Sequence, residues 1–177
     1  MLEGARLTAG MRRGVAIGGF MGSGKSTVGP LVARGLGLPF VDLDAELVQL
    51  YGPIPDQFAN EGEAVFRARE RDLVAALCDR DEPIVVATGG GTWAHQPSRR
   101  RLRERFVTVV LTAPLSVLEH RVGGGEDRPR WNAGAAALLA SRQEAYADAD
   151  RVVATGDRGP AEVAAEIVAW VRGNRCP

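Results

Sequence analysis

Short apolar runs rich in valine and isoleucine recur along the chain at 15–18, 40–42, 84–88, 107–111 and 151–153. Longer stretches between them place their apolar residues at helical spacing, at about 25–36, 45–51, 62–79, 97–104, 114–121, 133–149 and 160–172. Brief β-branched runs that alternate with helices imply strands paired in parallel and covered on both faces. The pattern predicts an α/β protein of three α/β/α layers around a central five-stranded parallel sheet. Residues 1–13 lack periodicity and read as a flexible extension, with Met11 a second possible start. Residues 14–177 then form one domain, without internal repeat or long linker.

One stretch interrupts the alternation. Residues 123–130 read Gly-Gly-Gly-Glu-Asp-Arg-Pro-Arg, glycine-rich, charged and poor in apolar side chains. Such a segment gains too little from burial to offset the entropy of ordering itself. A region at about 122–132 is therefore expected to act as a lid that a ligand orders, with a plain surface linker as the alternative. Arginine within it favours the lid, since guanidinium groups suit phosphate oxygens.

Composition removes several classes. The 22 Lys+Arg and 22 Asp+Glu cancel, so net charge offers nothing to a polyanion. The local basic run Arg99–Arg103 reads as the solvated face of a helix, and no nucleic-acid partner is expected. Cys78 and Cys176 stand far apart, and only His95 and His120 could join them, so neither a zinc site nor a disulfide framework is indicated. With no apolar run of ~18 residues and no secretory leader, the expectation is a cytoplasmic chain without membrane partner, monomeric by default.

The chemistry starts where the first strand ends. Residues 19–26, Gly-Phe-Met-Gly-Ser-Gly-Lys-Ser, complete the phosphate-binding loop G-x-x-x-x-G-K-[ST]. Its glycines let successive N–H groups turn toward one anion, and the following helix presents its positive end. Lys25 suits the β- and γ-phosphates, and the Ser26 hydroxyl suits Mg²⁺. Asp42 and Asp44 follow the second strand, where alternate side chains share a face, so both are expected at the ligand edge. One would orient water on Mg²⁺ and the other accept a proton; alternatively Asp44 N-caps the helix beginning at Ala45. Three glycines, Gly89, Gly90 and Gly91, follow the third strand and clear the backbone for a carboxylate or a γ-phosphate. Arg142 falls within the apolar stripe of Leu138, Leu139, Tyr146 and Ala149, so it needs an anion. Arg67 follows Phe66 and stands three residues before Glu70, which can orient it, whereas Arg69 and Arg71 read as solvated. Arg67, Arg142 and the triple glycine together suggest a carboxylate-binding constellation.

In the order Gly-Phe-Met-Gly-Ser-Gly-Lys-Ser-Thr-Val-Gly at 19–29, Phe-Val-Asp-Leu-Asp at 40–44, Phe-Ala-Asn-Glu-Gly-Glu-Ala-Val-Phe-Arg-Ala-Arg-Glu at 58–70, Gly-Gly-Gly at 89–91 and Arg128-Pro129, the chain resembles the shikimate kinase family. The resemblance covers roughly residues 14–172 and implies a P-loop NTP-binding fold of the nucleoside monophosphate kinase type. It implies ATP-dependent phosphorylation of shikimate at its 3-hydroxyl, with ATP and Mg²⁺ required. Lys25, Asp44 and Arg128 would be catalytic, Asp44 touching the shikimate hydroxyls and Arg128 reaching over the phosphates from the lid. The nucleotide would contact Gly22, Ser23, Gly24, Lys25, Ser26, Thr27, Arg121 and Arg128, with Arg121 beside the adenine. Shikimate would lie against Asp44, Phe58, Phe66, Arg67, Gly89, Gly90, Gly91 and Arg142, and the metal against Ser26 and Asp42. Two departures stand out: Glu144 occupies the place of a family proline in R-x-P-x-Y, and Arg130-Trp131 follows the lid pair where a small aliphatic is common. A kinase of the same architecture for another hydroxy-acid, such as gluconate, shares these arginines and is the alternative; a nucleotide-binding regulator without turnover is a second.

Overall fold

The computed structural model describes residues 14–122 and 134–174. In chain order these form β1 (Gly14–Gly19), α1 (Lys25–Leu36), β2 (Phe40–Asp42), α2 (Leu43–Tyr51), α3 (Ile54–Cys78), β3 (Ile84–Ala87), α4 (Gly90–Ala94), α5 (Gln96–Arg105), β4 (Val107–Thr112), α6 (Leu115–Val122), α7 (Gly134–Ser141), α8 (Gln143–Ala147), β5 (Arg151–Ala154) and α9 (Pro160–Gly173). The strands make one sheet in the order β2-β3-β1-β4-β5, and every pairing is parallel. The three-layer architecture expected from the alternation is therefore the observed one.

Two apolar layers sandwich this sheet. Val15, Ile17, Val85, Val109 and Val153 point to one side, against Val28 and Val32 of α1 and Val163, Ile167 and Val171 of α9. Ala16, Ile84 and Val86 point to the other, against Leu43 and Leu47 of α2, Phe66, Val74 and Leu77 of α3, and Leu102 of α5. Residues adjacent along β1 face opposite layers, as the two-residue period requires. The chain leaves β1 toward β2 on one side and β4 lies on the other, so the sheet's switch point falls at the carboxyl end of β1. Open α/β sheets bind ligands at that crevice.

The elements depart from the periodicity at four places. Helix α3 starts at Ile54 rather than 62 and runs through Gly62, whose φ of 84° and ψ of 165° kink it. The glycine disguised the helical turns before it, which carry little apolar signal beyond Ile54 and Phe58. Helix α2 is capped by Asp42, whose Oδ1 accepts from the amides of Asp44 (3.1 Å) and Ala45 (3.4 Å), so Asp44 is not the cap. The stretch 133–149 is not one helix: α7 and α8 meet at Arg142, and Leu138 lies exposed rather than in a buried stripe. The short α4 was invisible behind its two leading glycines.

Two basic residues expected in solvent are instead tied down. Arg69 forks onto Glu61 (2.8 and 2.6 Å), bonds Gln57 Oε1 (3.3 Å) and stacks 4.1 Å from the Tyr51 ring centroid. Arg99 donates to Asp148 (2.8 Å) and to the Trp93 carbonyl (2.6 Å), while Arg100 and Arg101 pair with Glu104 and Asp79. Apart from Val122, the expected lid lies outside the described residues, as do the extension 1–13, Arg128, the Arg130-Trp131 pair and Cys176.

Candidate active site

The loop between β1 and α1 is a cradle for an anion. Gly22 and Gly24 take φ values of 77° and 98°, which side chains with a Cβ rarely adopt, and Gly24 hands over directly to the first turn of α1. Inside the turn the Ser23 hydroxyl is buried with no hydrogen-bond partner. Lys25 Nζ donates to the Phe20 carbonyl (2.9 Å), which parks the ammonium across the mouth of the loop. Ser26 Oγ donates to Asp42 Oδ2 (2.7 Å), so a hydroxyl and a carboxylate stand side by side at the end of β2. A cleft of about 890 Å³ opens here, lined by residues 22–28 together with Arg121, Thr155, Arg158 and Pro160. Arg121 spans its far wall, with Nη1 on Thr155 Oγ1 (3.0 Å) and the Gly22 carbonyl (3.4 Å), and Nη2 on the carbonyls of Thr155 and Gly156.

A second group of side chains converges beyond Lys25. Each glycine of the triple faces one or two of them. A methyl on Gly89 would stand 3.3 Å from Asp44 Oδ1 and 3.4 Å from Glu70 Oε1. One on Gly90 would meet Arg142 Nη1 at 2.4 Å and the Tyr146 hydroxyl at 2.9 Å, and one on Gly91 would meet Arg67 Nη1 at 2.1 Å. Five polar groups thus crowd the start of α4, and a side chain at Gly90 or Gly91 would collide with them. Both guanidinium groups also sit on aromatic rings: Arg67 lies 5.2 Å from the Phe66 centroid and Arg142 lies 5.5 Å from that of Phe20. Phe58 stacks on Phe66 with centroids 4.7 Å apart, closing the apolar wall on this side. Arg67 is held by Glu70 (2.8 Å) and Glu63 (3.2 Å), whereas Arg142 Nε is buried without a partner.

The charges feel one another. Burial pushes Lys25 down to about 8, while Asp44 and Asp42 oppose the drop and Arg142 adds to it. Burial also raises Asp44 above the ordinary carboxylate range, and Asp42 repels it further while Lys25 and Arg67 pull it back. A polyphosphate in the cradle would favour the charged ammonium. Burial raises Tyr146 as well, against the pull of Arg142.

Asp44, Arg67 and Arg142 thus meet with Gly89–Gly91 on one side of Lys25, and Gly22–Thr27 meet with Arg121 on the other. Of the candidate site residues named from sequence, Arg128 lies outside the described residues. Sequence reasoning passed over Thr155, Arg158 and Pro160, though they follow β5 at the same sheet edge as the loop of residues 19–26. A topological argument applied to every strand end would have found them. Thr92 and Trp93 were also missed, because a helix that begins with two glycines conceals its inward face.

A parallel sheet with a phosphate cradle at its switch point, and a cationic pocket for a small acid beside it, defines a P-loop phosphotransferase acting on a small alcohol. The shikimate kinase family model matches residues 21–172. The chain is 42% identical over 166 residues to shikimate kinase of Geobacter sulfurreducens, covering 90% of this chain and 91% of that one. It is 38% identical over 161 residues to that of Cereibacter sphaeroides, covering 88% and 80%. Among solved structures, shikimate kinase from Acinetobacter baumannii in complex with shikimate superposes with a TM-score of 0.86 at 30% identity, over 95% of this chain and 97% of that one. A gluconokinase from Sinorhizobium meliloti reaches 0.61 at 26% identity, over 93% and 97%. The chain belongs to the shikimate kinase family, whose members are ATP-dependent kinases.

Proposed function

We propose that the chain transfers the γ-phosphoryl group of ATP to the 3-hydroxyl of shikimate, giving shikimate 3-phosphate and ADP. The observation that carries this reading is the meeting of Asp44, Arg67 and Arg142 around Gly89–Gly91, beside Lys25. Two guanidinium groups seated on rings suit one carboxylate, and an adjacent carboxylate suits a hydroxyl on the same small molecule.

In this mechanism the amides of residues 22–27 and the Lys25 ammonium hold the phosphates, with Arg121 flanking the base. Arg67 and Arg142 grip the acceptor carboxylate, and the backbone at Gly90 and Gly91 supports it. Phe58 and Phe66 form the apolar wall. Asp44 accepts the proton of the attacking hydroxyl as the new P–O bond forms and the bond to the β-phosphate oxygen breaks. The protein contributes positioning and charge stabilisation more than covalent chemistry. Burial keeps Asp44 a better base than an ordinary carboxylate. The Ser26–Asp42 pair offers hard oxygen donors at the cradle and so fits Mg²⁺, which would neutralise phosphate charge there. For Arg128, which would add charge from the lid, the reading rests on the family motif. The same reading has the enzyme working as a monomer in the cytoplasm, where ATP is available.

The test is ADP release measured with shikimate, gluconate or a nucleoside monophosphate, with and without Mg²⁺. Release that is saturable in shikimate and requires Mg²⁺ is expected. Release with gluconate alone would transfer the reading to a sugar-acid kinase, and none with any acceptor would point to a regulator without turnover.

A further inference from the structure

The clamp contains a buried relay that the mechanism above does not use. Thr92 Oγ1, on α4, donates to Glu70 Oε1 at 2.7 Å, and the other oxygen of Glu70 accepts from Arg67 Nη1 at 2.8 Å. Thr92 and Glu70 are 1% and 4% exposed, so this carboxylate has little water to satisfy it. Arg67 has a second, competing partner. Its Nε and Nη2 reach Glu63 Oε1 at 3.3 and 3.2 Å, and the Glu63 side chain is 66% exposed. The two carboxylates lie on opposite sides of one guanidinium, one toward the pocket floor and one toward solvent.

Which pull prevails depends on how firmly Glu70 is held. A carboxylate fixed at both oxygens presents a stationary acceptor to Nη1. Remove the hydroxyl, and a buried oxygen is left without a donor, which is costly. Glu70 then turns to recover a partner, and Arg67 follows Glu63 outward. Resting on the clamp reading above, we propose that Thr92 is a positioning residue: it fixes Glu70 and thereby aims Arg67 at the acceptor carboxylate. Helix α4 then serves twice, its first two glycines making room for the guanidinium groups and its third residue aiming one of them.

Steady-state kinetics of Thr92→Val, which keeps the shape and deletes the hydroxyl, test this. The acceptor KM should rise about ten- to hundredfold, the range expected for one charge-assisted hydrogen bond. The ATP KM and kcat should stay within about twofold, and Thr92→Ser should restore the acceptor KM. In an Arg67→Ala background the same substitution should add nothing, because the effect passes through Arg67. An unchanged acceptor KM overturns the proposal. So does an equal rise in the Arg67→Ala background, or a joint loss of kcat and both KM values that marks a general packing role. If Thr92→Val does not fold, Thr92→Ala takes its place, with the same contrast to Thr92→Ser required. The wild-type control separates the two levels: turnover with gluconate in place of shikimate corrects the function, and the series is then read on gluconate.

Discussion

Lys25 and Asp44 titrate in opposite directions from their usual ranges, and the rate should show both. The ammonium must carry its proton to hold phosphate, and its pKa near 8 lies well below that of an exposed lysine. The kcat/KM for ATP, which reports the free enzyme, should therefore fall as pH rises through about 8. Asp44 must be ionised to accept a proton, and its pKa is raised, so the acid limb of the kcat/KM profile for the acceptor should begin above the ordinary aspartate range. A flat profile across these limbs would remove both assignments. Asp44→Asn should lower kcat by about 10²–10⁴-fold, the usual worth of a general base, with a native circular dichroism spectrum. Arg142→Ala should mainly raise the acceptor KM, since its role is binding. Gly91→Ala should do the same and also lose stability, because the methyl would stand 2.1 Å from Arg67 Nη1 and push that guanidinium off the buried Glu70. Most of these residues were legible in the sequence as types out of place: an arginine in an apolar stripe, three glycines where one would serve. Glu70 was legible too, at three residues from Arg67. Thr92 was not, since a threonine after glycines gives no sign that its hydroxyl faces a carboxylate twenty-two residues earlier.

At the level of elements, strands were easier to read than helix ends. Runs of valine and isoleucine set β1, β3 and β4 to within one or two residues, because burial on both faces leaves little room for other side chains. Helix starts went astray where a glycine or a cap was misread, as at Gly62 in α3 and Asp42 before α2. The kink at Gly62 has open space around it, so its cost to a side chain is conformational and not steric. With φ at 84° and ψ at 165°, Gly62→Ala should lose about 1–3 kcal/mol of stability in urea titration, as expected for a backbone region that glycine alone occupies readily. No loss would mean that the kink relaxes freely. Across this bend Arg69 straps Glu61, Gln57 and Tyr51 together, which explains why a residue expected in solvent is tied down.

The whole molecule places two kinds of site on one sheet edge. Parallel order β2-β3-β1-β4-β5 brings the ends of β1, β2, β3 and β5 to the same side, so the cradle, Asp42 and Asp44, the triple glycine and Thr155 gather there. That gathering could be anticipated from the alternation of strands and helices alone; the order of the strands could not, since several orders satisfy the same pattern. The central claim is that this edge joins a nucleotide cleft to a carboxylate pocket for one reaction. It is tested most directly by incubating the enzyme with Mg²⁺, shikimate and ATP labelled in the γ-phosphoryl group, then locating the label by nuclear magnetic resonance and mass spectrometry. The account predicts label on the 3-oxygen of shikimate in the wild type, with transfer strongly reduced in Asp44→Asn. Label released only as inorganic phosphate, or found on a different oxygen, would contradict it.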